Sequence, residues 1–252
     1  MKKKNLAFTL AEVLITLGVI GVVAAITMPT VIQKYNEART VSRLKQTYSI
    51  LSQAFSRAVD DYGTPDNWNL VGYATSEGSE NLLAKLTPYM KTTKICKAYE
   101  IGCVSDVNYL ALDGKTDAGK VYYHRATAKL ANGSLLNTRI YSKTCQNAWG
   151  TSTQMQNECA EIGVDINGDK KPNQFGVDYF LFHVTKYGIV PYGSPVETSK
   201  FRFATNCRDK SIGSVAGWSA NGYGCAGWVI YNENMDYLHC SDLAWNGKKR
   251  CK

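Results

Sequence analysis

Histidine is scarce: three in 252 residues, at positions 124, 183 and 239. Three scattered imidazoles do not make a metal centre or a general base. The eight cysteines include no Cys-x-x-Cys pair, and His239 beside Cys240 is an isolated neighbour, so zinc is not expected. There is no phosphate-cradling glycine loop, and Gly217-Trp218-Ser219-Ala220-Asn221 misses the Gly-x-Ser-x-Gly elbow at its last position. Repeats and low-complexity tracts are missing too, and no enzymatic activity is expected. Strong basicity is also lacking. The net charge is +8, and without residues 1–7 the chain would keep only +5, too mild to argue for nucleic acid as a partner.

The composition is otherwise that of a folded protein, with 44% hydrophobic, 11% aromatic and 20% charged residues. It excludes a disordered polymer, a polytopic membrane protein and a collagen-like rod. A chain of this length hides roughly 70% of its unfolded surface on folding, so one or two domains with real cores are expected. One long apolar run is present and nothing later repeats it. Val13 to Gln33 carry no charge over 21 residues, and about 20 residues at 1.5 Å rise span the hydrocarbon of a bilayer.

A carboxylate, Glu12, stands at the head of that run. A secretory signal would pass from lysines into an uninterrupted apolar stretch and end at a small-x-small site, which Val23-Ala24-Ala25-Ile26 does not supply. A plain anchor gains nothing from the acid, since at mid-bilayer it costs about 2.5–3.5 kcal/mol and less near the interface. Glu12 therefore needs a partner.

The residues Lys2-Lys3-Lys4-Asn5-Leu6-Ala7-Phe8-Thr9-Leu10-Ala11-Glu12 resemble the type IV prepilin motif: a short basic leader, a small residue, then Phe-Thr-Leu-x-Glu and an apolar helix. The resemblance implies a prepilin peptidase that cuts between Ala7 and Phe8 and methylates the new amine of Phe8, and it makes Glu12 the fifth mature residue. The usual residue before the cut is glycine, and Ala7 departs from it. In a low-dielectric filament core Glu12 would neutralise the Phe8 ammonium of a neighbouring subunit and so set register, because losing one partner leaves a buried charge unpaired. Pro29 matches the place where pilin helices bend at a proline.

Beyond Pro29 apolar residues recur at spacings of three and four from Val31 through Tyr35, Leu44, Tyr48, Leu51 and Phe55 to Tyr62, an amphipathic helix that Gly63-Thr64-Pro65-Asp66 stops. From Phe8 to Tyr62 such a helix would be about 80 Å long. Its first half would anchor in the membrane and later pack against other subunits, and its second half would form a wall of a globular head. The domain reading is a leader at 1–7, the helix at 8–62 with its first half transmembrane, and a β-rich head at 63–252.

In the head a short helix is expected around Glu80–Leu86. Strands are expected at Lys120–His124, Thr138–Tyr141, Val177–Val184 and Trp228–Tyr231, with a hairpin turn at Tyr187-Gly188 that returns through Ile189-Val190. The fold class is α+β: a long N-terminal helix, membrane-spanning in its first half, laid against an antiparallel sheet, which is also the pilin fold that the leader implies. All eight cysteines follow the helix, and an even count in an exported head reads as disulfides. Neighbours in sequence are the preferred pairs: Cys96 with Cys103, Cys145 with Cys159, Cys207 with Cys225, and Cys240 with Cys251.

Asp165, Asn167 and Asp169, followed by Asn173 and Asp178, alternate oxygen-bearing side chains like the first half of a calcium loop. Lys170 stands where an EF-hand has its turn glycine and Gly176 where it has its last glutamate. The stretch also resembles the Asp-rich loop by which some secretion pseudopilins hold calcium. Calcium on Asp165, Asn167, Asp169 and Asp178 is one reading; an Asn-Gly turn with capping carboxylates is the other, and the sequence leaves both open.

The function expected is that of a structural subunit, a pilin or pseudopilin, of a type IV pilus or type II secretion pseudopilus. It would reside as a single-pass protein of the inner membrane, head outward, before entering the filament. Its partners would be prepilin peptidase, other pilin subunits, an inner-membrane assembly platform and membrane lipid. A minor tip pilin whose head binds a surface, glycan or DNA is an alternative. A membrane-anchored enzyme or receptor that borrows the helix is another.

Overall fold

The computed structural model describes residues 9–100, 102–103, 107–120, 125–168, 170–197, 201–207 and 221–251. The cleavage pair Ala7 and Phe8, the leader lysines, most of the strand expected at Lys120–His124, Asp169 and the Trp218-Ser219 stretch lie outside the described residues. The chain divides into two compact units, Met1–Arg39 and Thr40–Lys252.

One helix, α1, runs from Leu10 to Tyr62 and so contributes to both units; Pro29 lies inside it. Proline brings no N–H, so the carbonyl of Ala25 lacks its i+4 donor, yet the helix does not end there. It ends where the sequence places the stop. Gly63 takes φ 72°, a left-handed cap that glycine adopts without a Cβ penalty, and its N–H closes on the Val59 carbonyl at 2.9 Å. In the first unit the apolar side chains of α1 are bare: Leu14, Ile15, Ile20 and Ile26 are each more than 60% exposed.

The second unit is an antiparallel sheet with helices on it. Its strands are β1 (Thr92–Cys96), β4 (Thr127–Leu130), β5 (Leu135–Ile140), β6 (Glu158–Asp165), β7 (Tyr179–Thr185) and β8 (Gly188–Pro191), hydrogen-bonded in that order. A separate two-stranded ribbon joins β2 (Tyr109–Leu110) to β3 (Asp117–Gly119). The hairpin β4–β5 turns at Asn132-Gly133, where Gly133 has φ 87° and Asn132 Oδ1 accepts the Ser134 N–H. The β7–β8 hairpin expected from the sequence is present, but it turns at Lys186-Tyr187, one residue before the expected Tyr187-Gly188, because Gly188 pairs with Thr185 as the first residue of β8. Helix α2 (Ser76–Leu86) takes in the short helix expected near Glu80; α3 (Phe203–Asn206) and α4 (Ala226–Asn232) follow the sheet.

Alternation along the strands assigns the two faces. Leu136 and Ile140 of β5, Ala160, Ile162 and Val164 of β6, and Phe180, Phe182 and Val184 of β7 share one core with Leu44, Leu51, Ala54, Phe55 and Ala58 of α1. Tyr48 of α1 stacks on Phe182 at 5.6 Å. Burying a side chain of Leu or Phe size is worth about 1.5–3 kcal/mol, so this seam alone fixes the C-terminal half of α1 to the sheet. The opposite face carries an aromatic cluster of Tyr109, Phe175, Tyr179, Leu181, Tyr192 and Phe201. It also carries a polar row, since the register sets Arg139 opposite Glu161 and Glu161 opposite His183.

Two expectations need correction. Trp228–Tyr231 is not a strand but the body of α4. A run of four apolar residues cannot declare its period, and here Glu233 closes a helical turn by taking φ 55° after Asn232. After the expected Glu80–Leu86 helix the sequence analysis places no element before Lys120, yet the chain forms β1 at Thr92–Cys96. The central strand β6 was also missed, because Glu-Cys-Ala-Glu-Ile-Gly-Val-Asp is buried on both faces and hides its alternation. The four disulfides are Cys96–Cys103, Cys145–Cys159, Cys207–Cys225 and Cys240–Cys251.

Candidate functional sites: the helix head and the Asp165 loop

The first turn of α1 is built from Thr9 and Glu12. Thr9 Oγ1 accepts the Glu12 N–H at 3.2 Å. The Glu12 carboxylate reaches back, its Oε2 accepting both the Thr9 N–H and the Thr9 hydroxyl at 2.8 Å. This is a reciprocal capping box, in which two otherwise orphaned helix donors are satisfied. Thr9-x-x-Glu12 spells the motif in the sequence, yet sequence reasoning singled out Glu12 and passed over Thr9. The box fixes the carboxylate at the positive end of the helix dipole.

After that cap the helix is apolar. It is the one described helix long and apolar enough to cross a membrane, and none of its apolar window is buried within the chain. Thr16 and Thr27, two of the three threonines of the run, return their O–H groups to the Val13 and Val23 carbonyls at 2.9 Å, so neither presents an unmet donor to hydrocarbon.

The second candidate is the loop that leaves β6. Asp165 and Asp178 lie 13 residues apart in sequence and are brought together by the Ile166 N–H on the Asp178 carbonyl, 2.9 Å. Asp165 Oδ2 accepts the Tyr109 hydroxyl at 2.6 Å and its Oδ1 the Asn167 N–H at 3.1 Å. Asp178 accepts the N–H groups of Asn173 at 2.9 Å and Gln174 at 2.6 Å, and the Asn167 amide at 3.1 Å. Burial and the nearby Asp178 charge push the Asp165 carboxyl up to about 8. Burial pushes Asp178 up to about 6 against its N–H donors.

Two further oxygens converge on this loop. Asn167 Oδ1 and Asn173 Oδ1 are buried without a hydrogen-bond partner, and Asn173 is 5% exposed. A buried polar atom left unpaired costs about 1–3 kcal/mol. Two carboxylates and two orphaned amide oxygens form an all-oxygen donor set that suits a hard cation such as calcium, although calcium takes six to eight oxygens. Among the described residues no three acidic, histidine or cysteine side chains gather closely enough to hold a metal. The structure thus brings together Asp165, Asn167, Asn173 and Asp178.

These features define a type IV pilin-like protein, and residues 2–28 match the prokaryotic N-terminal methylation motif. Residues 30–192, more than half of the chain, match the family of unknown function DUF6613, and the chain belongs to that family. No curated protein and no solved structure matches the chain. The motif implies processing by prepilin peptidase and assembly with other pilins, and together with the apolar helix it is consistent with membrane anchoring.

Proposed function

We propose that the protein is a structural subunit, a pilin or pseudopilin, of a type IV pilus or a type II secretion pseudopilus. Prepilin peptidase cuts between Ala7 and Phe8 and methylates Phe8; the helix holds the subunit in the inner membrane until an assembly platform draws it into the filament. In this reading the head has no catalytic role. The observation that carries it is the head of α1: a capped carboxylate followed by an apolar surface that no described residue covers. Such a surface is stable only in lipid or against like helices. The Phe8 ammonium of a neighbour then meets Glu12, and neither charge is left unpaired in hydrocarbon.

The test is N-terminal sequencing of the mature protein, with electron microscopy of cells that contain the assembly machinery. Methyl-Phe8 as the first residue together with filaments containing the chain supports the proposal. A protein that starts at Met1, or that stays monomeric in such cells, defeats it.

We further infer that calcium occupies the Asp165 loop, because Asn173 Oδ1 is buried with nothing to bond. Asp165, Asn167, Asn173 and Asp178 would hold the ion, and when bound it would supply charge neutralisation to two buried carboxylates. Calorimetry on the chelator-treated full chain in zwitterionic detergent decides the point. Saturable calcium heat that disappears in Asp178→Asn is expected, and an absence of heat in the unmutated chain rejects the site.

A further inference from the structure

Four Asn-Gly pairs occur in the chain, at 132–133, 167–168, 221–222 and 246–247. Asparagine before glycine is open to a reaction of its own. The backbone nitrogen of the glycine, which has no Cβ to crowd it, attacks the asparagine Cγ. The new N–Cγ bond closes a succinimide ring, the Cγ–Nδ2 bond breaks, and the nitrogen's proton leaves with ammonia. Water then opens the ring at either carbonyl, giving aspartate or isoaspartate. The side chain and the next N–H must both be able to move, so a clamped site reacts only as often as it opens.

Three of the pairs are clamped. Asn132 Oδ1 accepts the Ser134 N–H at 3.0 Å, its Nδ2 donates to Thr47 Oγ1 at 3.2 Å, and the Gly133 N–H donates to the Leu130 carbonyl at 2.9 Å. Asn167 Nδ2 donates to Asp178 Oδ2 at 3.1 Å, and the Gly168 N–H donates to the Asp165 carboxylate. Asn221 is 1% exposed, and the Gly222 N–H closes on the Asn206 carbonyl at 2.7 Å. The pair at 246–247 is different. Both of its residues are exposed, and among the described residues none hydrogen-bonds the Asn246 side chain. The Gly247 N–H makes a turn bond to the Ala244 carbonyl at 3.1 Å, at the surface where water can replace it.

The surroundings of that turn favour the attack. Negative charge develops at the reacting atoms as the Gly247 nitrogen gives up its proton, and cations close by lower the cost. Lys249 is held at the turn by bonds from its Nζ to the Ala244 and Trp245 carbonyls, and Lys248 and Arg250 flank it in sequence. Space is open as well. A Cβ built on Gly247 would meet only Ala244 Cβ, at 3.6 Å.

We propose that Asn246 is a site of spontaneous deamidation, selected by the fold from the four Asn-Gly pairs, at which the chain acquires aspartate or isoaspartate with age. The product puts a negative charge beside the Lys248-Lys249-Arg250 run, inside the loop that Cys240–Cys251 closes. The isoaspartate form also lengthens the backbone of that loop by a carbon atom. The change needs no enzyme, and it does not depend on filament assembly.

The test keeps the full chain, disulfides intact, in zwitterionic detergent at mildly alkaline pH and samples it over days. Digestion with a glutamate-specific protease and mass spectrometry then follow the amide-to-acid conversion at each pair. Asn246 is expected to convert roughly tenfold or more faster than Asn132, Asn167 and Asn221. The reduced chain in denaturant should convert all of them at comparable rates. Gly247→Ala, whose Cβ the structure accommodates, should slow the reaction at Asn246 roughly tenfold by crowding the nitrogen. An Asn246 that stays intact in the folded chain overturns the proposal, as does any other pair that keeps pace with it. So does an unchanged rate in Gly247→Ala, or the same lead for Asn246 in denaturant, which would assign the preference to local sequence instead of the fold. The comparison among the pairs is made within one sample of the unmutated chain, so a poorly folding variant leaves the test decisive.

Discussion

At the scale of single residues, Glu12 has two functions that substitutions can separate. Within the chain it caps its own helix through Thr9; between chains it is proposed to meet Phe8. Thr9→Ala removes the cap hydroxyl and costs helix stability by about 1 kcal/mol, but leaves the carboxylate, so filament yield should fall only modestly. Glu12→Leu removes both and should abolish filaments, while membrane insertion persists. Counting filaments per cell for both variants checks this, and equal loss in the two would mean that the cap, not the charge, is what assembly needs. Glu12 is legible in the sequence because a carboxylate ahead of 21 uncharged, mostly apolar residues is conspicuous. His183 was not. Its partners lie 25 and 14 residues away in sequence, and only the fold closes that distance. His183 Nδ1 sits 2.5 Å from Glu158 Oε1, and its Nε2 lies 3.3 Å from Glu197 Oε1, within ion-pair reach but not aligned for a hydrogen bond. Glu158 reaches the same face as His183 because a bulge between Glu158 and Ala160 re-aims it. Burial alone would lower the imidazole's affinity for its proton, but Glu197 and Glu158 outweigh it and raise His183 to about 9. The folded state therefore binds that proton more tightly than the unfolded chain, with its ordinary value near 6.5. This stabilisation, on the order of 3 kcal/mol, is complete below about pH 6.5 and is lost as pH rises through 9. With three histidines in the chain, the His183 ring resonances can be followed by NMR. They should titrate near pH 9, and a midpoint at 6.5 or below would show that the flanking carboxylates do not act as described.

At the scale of elements, the β6–β7 pair holds the second unit together, and one glycine governs how closely its polar face packs. Gly163 is extended, so its role is spatial: a Cβ there would collide with the Tyr179 hydroxyl and the Asn137 amide, which hydrogen-bond each other at 2.8 Å above it. Gly163→Ala should destabilise by about 1–3 kcal/mol, the usual cost of overpacking a core. Adding Tyr179→Leu should recover part of the loss, because the two changes share one contact and do not add. Denaturant melts of the single and double variants measure this, and a double variant that loses the sum of both singles would exclude the collision. The hairpin β7–β8 is readable because its apolar run is long and Tyr187-Gly188 marks its end to within one residue of the turn at Lys186-Tyr187. Strand β6 was not, since Cys159 and Glu161 look polar in sequence, yet one is in a disulfide and the other is neutralised by Arg125. Helix α4 was misread for the converse reason: Trp-Val-Ile-Tyr has strand-like composition, and its helical geometry comes from the close approach of Gly227 to the Gly193-Ser194 backbone, a tertiary effect that overrides propensity.

At the scale of the whole molecule, the sequence separates membrane chemistry from redox chemistry. The first unit has an apolar surface and no cysteine; the second has all eight cysteines, joined in four pairs with sequence separations of 7, 14, 18 and 11. In the chain-entropy account each such closure stabilises by roughly 2.5–3 kcal/mol, and four together reach on the order of 10 kcal/mol. A domain's net stability is roughly 5–15 kcal/mol, so the second unit without its disulfides should fall near or below the folding threshold. Reducing cytosol cannot keep them, which agrees with the proposed orientation, the second unit on the oxidising side of the membrane. Cells deficient in periplasmic disulfide formation should therefore still insert the apolar helix but lose the second unit to proteolysis, leaving a membrane-bound N-terminal fragment. In competent cells, thiol alkylation without reductant should label none of the eight cysteines, and non-reducing peptide mapping should recover the four sequence-neighbour links. Full alkylation of a protease-resistant chain would place the second unit in the cytosol, and with it would fall the orientation that filament assembly requires.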